Sequence, residues 1–135
     1  MMRLRWSVAA LILMTAIGCG GGTNALDART TVTGNVTLDG QPLPEGTISF
    51  DANDGAAPGN ATIVNGAYKL EARPGKNIVK INSYKVDPKI KPSNDPIRPV
   101  DNRVNVIPKR YNVQSELTAE VGDKTSFDFS LSTKK

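Results

Sequence analysis

Histidine is absent from this 135-residue sequence, and cysteine and tryptophan each occur once. The missing histidine removes the commonest general base and the commonest transition-metal ligand. A single cysteine, Cys19, excludes an intrachain disulfide and a multi-cysteine zinc site. Aromatic residues make up only 5% of the chain, and the one tryptophan, Trp6, stands near the amino terminus. A sugar-binding face, which usually stacks rings on aromatic platforms, has little to be built from. The formal net charge of +4 includes Arg3 and Arg5. Without those two it is too small for a dedicated nucleic-acid binder. No apolar run reaches the ~20 residues of a spanning helix. Beyond residue 18 no stretch keeps a helical apolar period. These absences leave no catalytic set, no metal-ligand cluster and no cofactor motif, so the chain reads as a non-enzyme without a cofactor.

What is present begins with an export signal over residues 1–18, expected to be a short helix. Arg3 and Arg5 give it a positive start, and Val8 to Ile17 give it an apolar core of ten residues. That is the length of a signal segment and not of a span. It closes on Ala16-Ile17-Gly18-Cys19. The ending resembles the lipobox of bacterial lipoproteins, in which small residues precede a cysteine that receives a diacylglyceryl group. The resemblance implies a fatty-acylated Cys19 holding the protein to a membrane, at about 0.8 kcal/mol per buried methylene. It implies a lipid-anchored place in the cell envelope, facing the periplasm or at the outer membrane or cell surface. Residues 19–29 open with Gly20-Gly21-Gly22-Thr23-Asn24 and read as a flexible tether. About ten such residues keep the following domain within ~20 Å of the lipid surface.

After the tether, short strands and turns alternate. Thr31 to Leu38 places Val32, Gly34, Val36 and Leu38 on one face, because side chains alternate along a strand. Asp39-Gly40 is a hairpin turn signal, and Gly46 to Phe50 is expected to return as the second strand. Asp51-Ala52-Asn53-Asp54-Gly55 faintly resembles a calcium loop. It lacks one spacer residue and the bidentate glutamate, and reads as a solvated turn. Ala61 to Val64 and Ala67 to Glu71 flank Asn65-Gly66, the strongest type I′ hairpin signal in the chain. Asn77 to Tyr84, Leu117 to Val121 and Ser126 to Leu131 complete seven or eight strands, the count and spacing of a small antiparallel β-sandwich. The expected core is Val32, Val36, Leu38, Ile48, Phe50, Ile63, Tyr68, Leu70, Val79, Ile81, Val106, Leu117, Val121, Phe127, Phe129 and Leu131.

Regularity fails over residues 85–103, which carry Pro88, Pro92, Pro96 and Pro99. Proline cannot donate to a ladder, so a long extended loop with polyproline character is expected. Residues 76–110 hold nine basic side chains against three acidic ones. The candidate binding residues are Lys85, Lys89, Lys91, Arg98, Arg103, Lys109, Arg110 and Tyr111. They form a basic edge that would meet an acidic polymer, anionic headgroups or an acidic partner. The alternative is solubilising charge that guards a loop and an edge strand.

Val32-Thr33-Gly34-Asn35-Val36 through Thr47-Ile48-Ser49-Phe50 resembles the opening of carboxypeptidase-regulatory-like domains. Gly66-Ala67-Tyr68-Lys69-Leu70 is similar to that family's Gly-x-Tyr strand. Ile107-Pro108-Lys109-Arg110-Tyr111-Asn112 and the Phe-x-Phe-x-Leu ending resemble small lipoproteins of planctomycete-type bacteria. The resemblance covers residues 30–132 and implies a transthyretin-like (prealbumin-like, Ig-like) β-sandwich. The hydroxyisourate hydrolase that shares this fold requires histidines and a Tyr-Arg-Gly-Ser-type ending, which this chain lacks. The zinc carboxypeptidase is likewise missing, in both length and ligands. The function implied is a non-catalytic, lipid-anchored accessory or interaction module with an envelope protein as partner. The alternative is an accessory protein that binds an acidic extracellular polymer or polysaccharide through the basic loop.

Overall fold

The structure, a computed structural model, describes residues 27–135. The expected signal helix, Cys19 and most of the tether lie outside the described residues. The strands are β1 (Thr30–Leu38), β2 (Gln41–Pro42), β3 (Glu45–Asp51), β4 (Gly59–Val64), β5 (Ala67–Ala72) and β6 (Gly75–Asn82). They continue with β7 (Tyr84–Val86), β8 (Arg103–Asn105), β9 (Thr118–Val121) and β10 (Phe129–Leu131), with a 3-10 turn at Lys109–Tyr111 between β8 and β9. No α-helix occurs among the described residues. The described residues are all-β, as the alternation of the sequence predicts.

The main sheet runs β10-β1-β5-β4-β3-β6-β9, with β2 bonded to β1, and β7-β8 forms a separate ladder. Only Arg73 and Pro74 link β5 to β6. In a flat sheet those strands would lie three spacings apart, ~14 Å, and three peptide steps reach only ~10 Å. The sheet therefore curls until β5 and β6 face each other across one core, which makes it a small sandwich.

Two expectations about pairing are corrected. The strand at 46–51 does not pair with β1. Asp39-Gly40 turns the chain back, but only Gln41 and Pro42 bond to β1, opposite Leu38 and Thr37. Leu43 then dives into the core, and Pro44 has no N–H with which to continue. The place beside β1 goes to β5, in register from Thr30↔Ala72 to Asn35↔Ala67. The sandwich is also not wholly antiparallel, since β10 runs parallel to β1 from Val36↔Phe129 to Leu38↔Leu131. The Asn65-Gly66 turn forms as expected, with φ of 49° and 83°.

Thirteen of the expected core residues are buried. Leu38, Val106 and Leu117 are only half-buried and pack against the core from its rim. Leu43 and Ile107 are buried instead, each beside a proline that disguises it as loop. Phe50 is the hub, with its ring centroid 6.1–6.2 Å from those of Tyr68, Phe127 and Phe129. Beside it, Gly34 lets the chain cross very closely. A Cβ at this position would lie 1.8 Å from the Phe127 carbonyl oxygen. The Tyr68 hydroxyl donates to that same oxygen at 2.6 Å, and burial raises its pKa well above the usual tyrosine value, with Asp128 adding a smaller effect. The Gly-x-Tyr pattern and the Gly of the first strand thus meet at one buried hydrogen bond.

The registers give the molecule two poles. Thr30 lies beside Ala72, Asp51 beside Ile78, and Gly75 beside Val121. The chain therefore enters at the pole that carries the 52–58 turn. The Asp39-Gly40 and Asn65-Gly66 turns, the end of β6 and the carboxyl terminus gather at the other pole, ~23 Å away along β6.

Candidate functional site

The segment expected to be an unpaired loop is a closed arm at the far pole. Its base is the ladder Tyr84↔Asn105, Lys85↔Val104 and Val86↔Arg103. Asp87 N–H extends it by donating to Asn102 O at 2.7 Å. Further out, Ser93 and Val100 exchange both backbone hydrogen bonds, at 3.1 and 2.9 Å. Prolines remove donors from the ladder, and side chains supply the missing acceptors. Asp87 Oδ1 accepts Lys89 N–H, and Asp95 Oδ1 accepts the N–H groups of Ile97 and Arg98. Asp101 Oδ1 accepts Arg103 N–H. All three acids of the basic region thus serve the arm's own backbone, as Asx turns do.

The eight candidate residues fall into two groups. Lys85, Lys89, Lys91 and Arg98 are exposed on the arm. None of them has an ion pair or a side-chain hydrogen bond among the described residues. Arg103, at the base, is bidentate on Asp101, with Nη2 at 2.9 Å from Oδ2. Those hydrogen bonds hold the Asp101 carboxyl below its usual range.

Lys109, Arg110 and Tyr111 lie apart, in the 3-10 turn. The Arg110 guanidinium donates to the carbonyls of Ser132 and Lys134, and its carbon lies 4.8 Å from the Tyr111 ring centroid. The Tyr111 hydroxyl accepts Ser132 N–H at 3.3 Å, and its pKa is lowered, first by the Arg110 side chain. Thr133 completes the clamp, donating its N–H and hydroxyl to the Asp39 carboxylate at 2.9 and 2.7 Å. Arg110 and Tyr111 thus fasten the carboxyl-terminal segment, and the basic edge divides into a free arm and a structural latch.

Several asparagines carry weight that the sequence did not signal. Buried Asn112 donates to the carbonyls of Ile107 and Pro108 at 3.1 Å and of Ile81 at 3.4 Å, seating the turn against β6. Asn105 joins the arm to the body through Asn82 Oδ1 and the N–H groups of Ser83 and Ile107. Buried Asn77 donates to Arg73 O and Gly75 O. The cue for Asn112 was the Tyr111-Asn112 pair in the lipoprotein-like stretch. The alternation through Val79 and Ile81 puts Asn77 on the inward face, but not the backbone carbonyls that it meets there.

The acidic turn is occupied by its own contacts. Asp51 accepts Asn53 N–H, while Asp54 accepts Ala56 N–H and pairs with Arg73 Nε at 2.9 Å. No cluster of three metal-ligating side chains occurs among the described residues. Open clefts lie on the surface of the described residues. One of about 290 Å³ lies between the arm's base and β3, lined by Glu45, Thr47, Tyr84 and Arg103. Another, about 680 Å³, runs along β9 to Phe127.

No protein-family model matches the sequence, and no curated protein matches it. Among solved structures, a 9R-lipoxygenase from Cyanothece PCC8801 is similar, with a TM-score of 0.41 and 14% identity. The match covers 82% of this chain and 17% of that one. The chain spans about a sixth of that protein's length, and so distant a likeness says nothing about activity.

Proposed function

We propose that this protein is a lipid-anchored lipoprotein of the cell envelope whose transthyretin-like, carboxypeptidase-regulatory-like sandwich works as a non-catalytic interaction module. The supporting observation is its polarity. The described chain enters at one pole, and the arm stands at the other with four cations that have no partner among the described residues. A fatty thioether on Cys19, palmitate or a relative, holds the first pole near a membrane, and the arm is left to meet a partner.

Expression in a bacterium fed a labelled fatty acid tests the anchor. The expected result is a labelled, membrane-bound protein that becomes unlabelled and soluble on Cys19→Ser. Undiminished labelling of the variant would sink the reading.

The second reading, an accessory protein for an acidic extracellular polymer, draws on the exposed Lys85, Lys89, Lys91 and Arg98. Retention on a purified polyanionic polysaccharide at low salt, lost at high salt, is its expected signature.

A further inference from the structure

The arm is apolar as well as basic. Of six exposed large hydrophobic residues among the described ones, four lie on it: Tyr84, Val86, Ile97 and Val100. Ile97 is the most exposed of all, at 85%. A solvated loop gains nothing from such side chains, and three of the four are aliphatic, without the flat ring on which a sugar stacks.

The backbone of the arm's tip is unusual in the same direction. Within residues 92–100, Pro92, Pro96 and Pro99 have no N–H. Ser93 and Val100 donate to each other's carbonyls. Asp95 N–H donates to Ser93 Oγ, and those of Ile97 and Arg98 donate to Asp95 Oδ1. Only the Asn94 N–H lacks an acceptor among the described residues. Asx turns of this kind also form in water, but they leave the tip fit to meet an apolar boundary, where an unpaired N–H costs several kcal/mol. Lys89, Lys91 and Arg98 flank the tip, where they would meet lipid phosphates while Ile97 sinks among the upper methylenes.

We propose that the tip of the arm, Ile97 with Lys89, Lys91 and Arg98, docks on an anionic bilayer surface. The occupant is the headgroup layer of a membrane, and the proposal rests on the envelope location given above. The two poles lie ~23 Å apart and ten tether residues reach at most ~35 Å. Anchor and arm can therefore touch one membrane with the sandwich lying along it.

The test uses the full chain with Cys19→Ser and Ile97→Cys, carrying an environment-sensitive dye on residue 97. A matching sample carries the dye on Ala57→Cys, at the opposite pole. Vesicles contain either phosphatidylglycerol mixed with phosphatidylcholine or phosphatidylcholine alone, so that only the first carry a negative surface potential. The signal segment is the same in every sample, so differences between samples report the arm. The expected result is a blue shift from residue 97 on anionic vesicles only, with none from residue 57. Adding Lys89→Ala, Lys91→Ala and Arg98→Ala should raise the lipid concentration needed about 100-fold. An unshifted dye at residue 97 on anionic vesicles would overturn the proposal, as would an equal shift on neutral ones. A shift with soluble dextran sulfate but not with vesicles would also overturn it, in favour of a polymer. None of these outcomes touches fatty-acid labelling at Cys19, which tests the anchor separately.

Discussion

Replacing Gly34 by alanine probes the closest crossing in the molecule. The new Cβ would lie 1.8 Å from Phe127 O, 2.7 Å from its carbonyl carbon and 2.9 Å from the Tyr68 hydroxyl. An ordinary contact needs the Phe127 backbone to retreat by more than 1 Å, and it is held by Phe127 N–H on Thr33 O and Thr33 N–H on Thr125 O. Overpacking of this kind costs about 1–3 kcal/mol. Losing the buried Tyr68 hydrogen bond adds about 1–2 kcal/mol. Gly34→Ala should therefore destabilise residues 27–135 by about 2–5 kcal/mol, a large part of a typical stability of about 5–15 kcal/mol. Tyr68→Phe removes the same bond alone and should cost about 1–2 kcal/mol. The double variant decides between shared and independent causes. If Gly34→Ala already breaks the bond, adding Tyr68→Phe costs almost nothing, and the coupling is about 1–2 kcal/mol. Urea unfolding of the four proteins, followed by circular dichroism, measures each term. A Gly34→Ala cost below about 1 kcal/mol, or strict additivity, would refute the account of this crossing.

Other outcomes follow from the same structure. Asn112→Ala should lower stability by about 2–4 kcal/mol, because it strips donors from the carbonyls of Ile81, Ile107 and Pro108; calorimetry measures it. Ser83→Ala should be neutral or stabilising by up to about 1 kcal/mol, since the buried Ser83 hydroxyl has no hydrogen-bond partner among the described residues. A clear loss in the unfolding midpoint would contradict that. The Asp39 carboxyl is held below the usual carboxylate range, chiefly by the Thr133 hydroxyl and N–H. A depressed pKa contributes stability that is full above the unfolded value and lost as pH falls through the folded one. The Thr133 amide should thus be protected from hydrogen exchange at pH 6 and lose protection as acid is added below about pH 4; protection that stays flat with pH would argue against the latch.

The sequence predicts the strands well where the period is clean. The stretches around Val32, Ile63, Tyr68, Val79 and Phe129 alternate without interruption, and each is a strand with the expected face buried. Both Asx-Gly turns also follow from local chemistry, since few other pairs accept positive φ twice in succession. Partner choice does not follow from such signals. Alternation says which face is buried but not which strand lies alongside, so it does not distinguish β5 from the next run as the partner of β1. Prolines misled in two ways. Beside Leu43 and Ile107 they masked core residues as loop, and in the arm they hid a ladder at 84–86 and 103–105 whose ends contain none. Of the candidate site, the composition revealed a basic region but not its division. The latch depends on Ser132, Thr133 and Lys134 returning to Asp39 and Arg110, a meeting across 94 positions for Thr133 and Asp39.

The strand at the carboxyl end, β10, has a consequence for how the molecule is made. It zips alongside the first strand of the domain and, together with Phe127 just before it, brings two of the rings that surround Phe50, with a third residue, Leu131. Until translation has released these last residues, β1 lacks its parallel neighbour and the aromatic cluster is half assembled. Contacts so distant in sequence form slowly. The described domain can therefore close its core only once its last strand is free to return to its first.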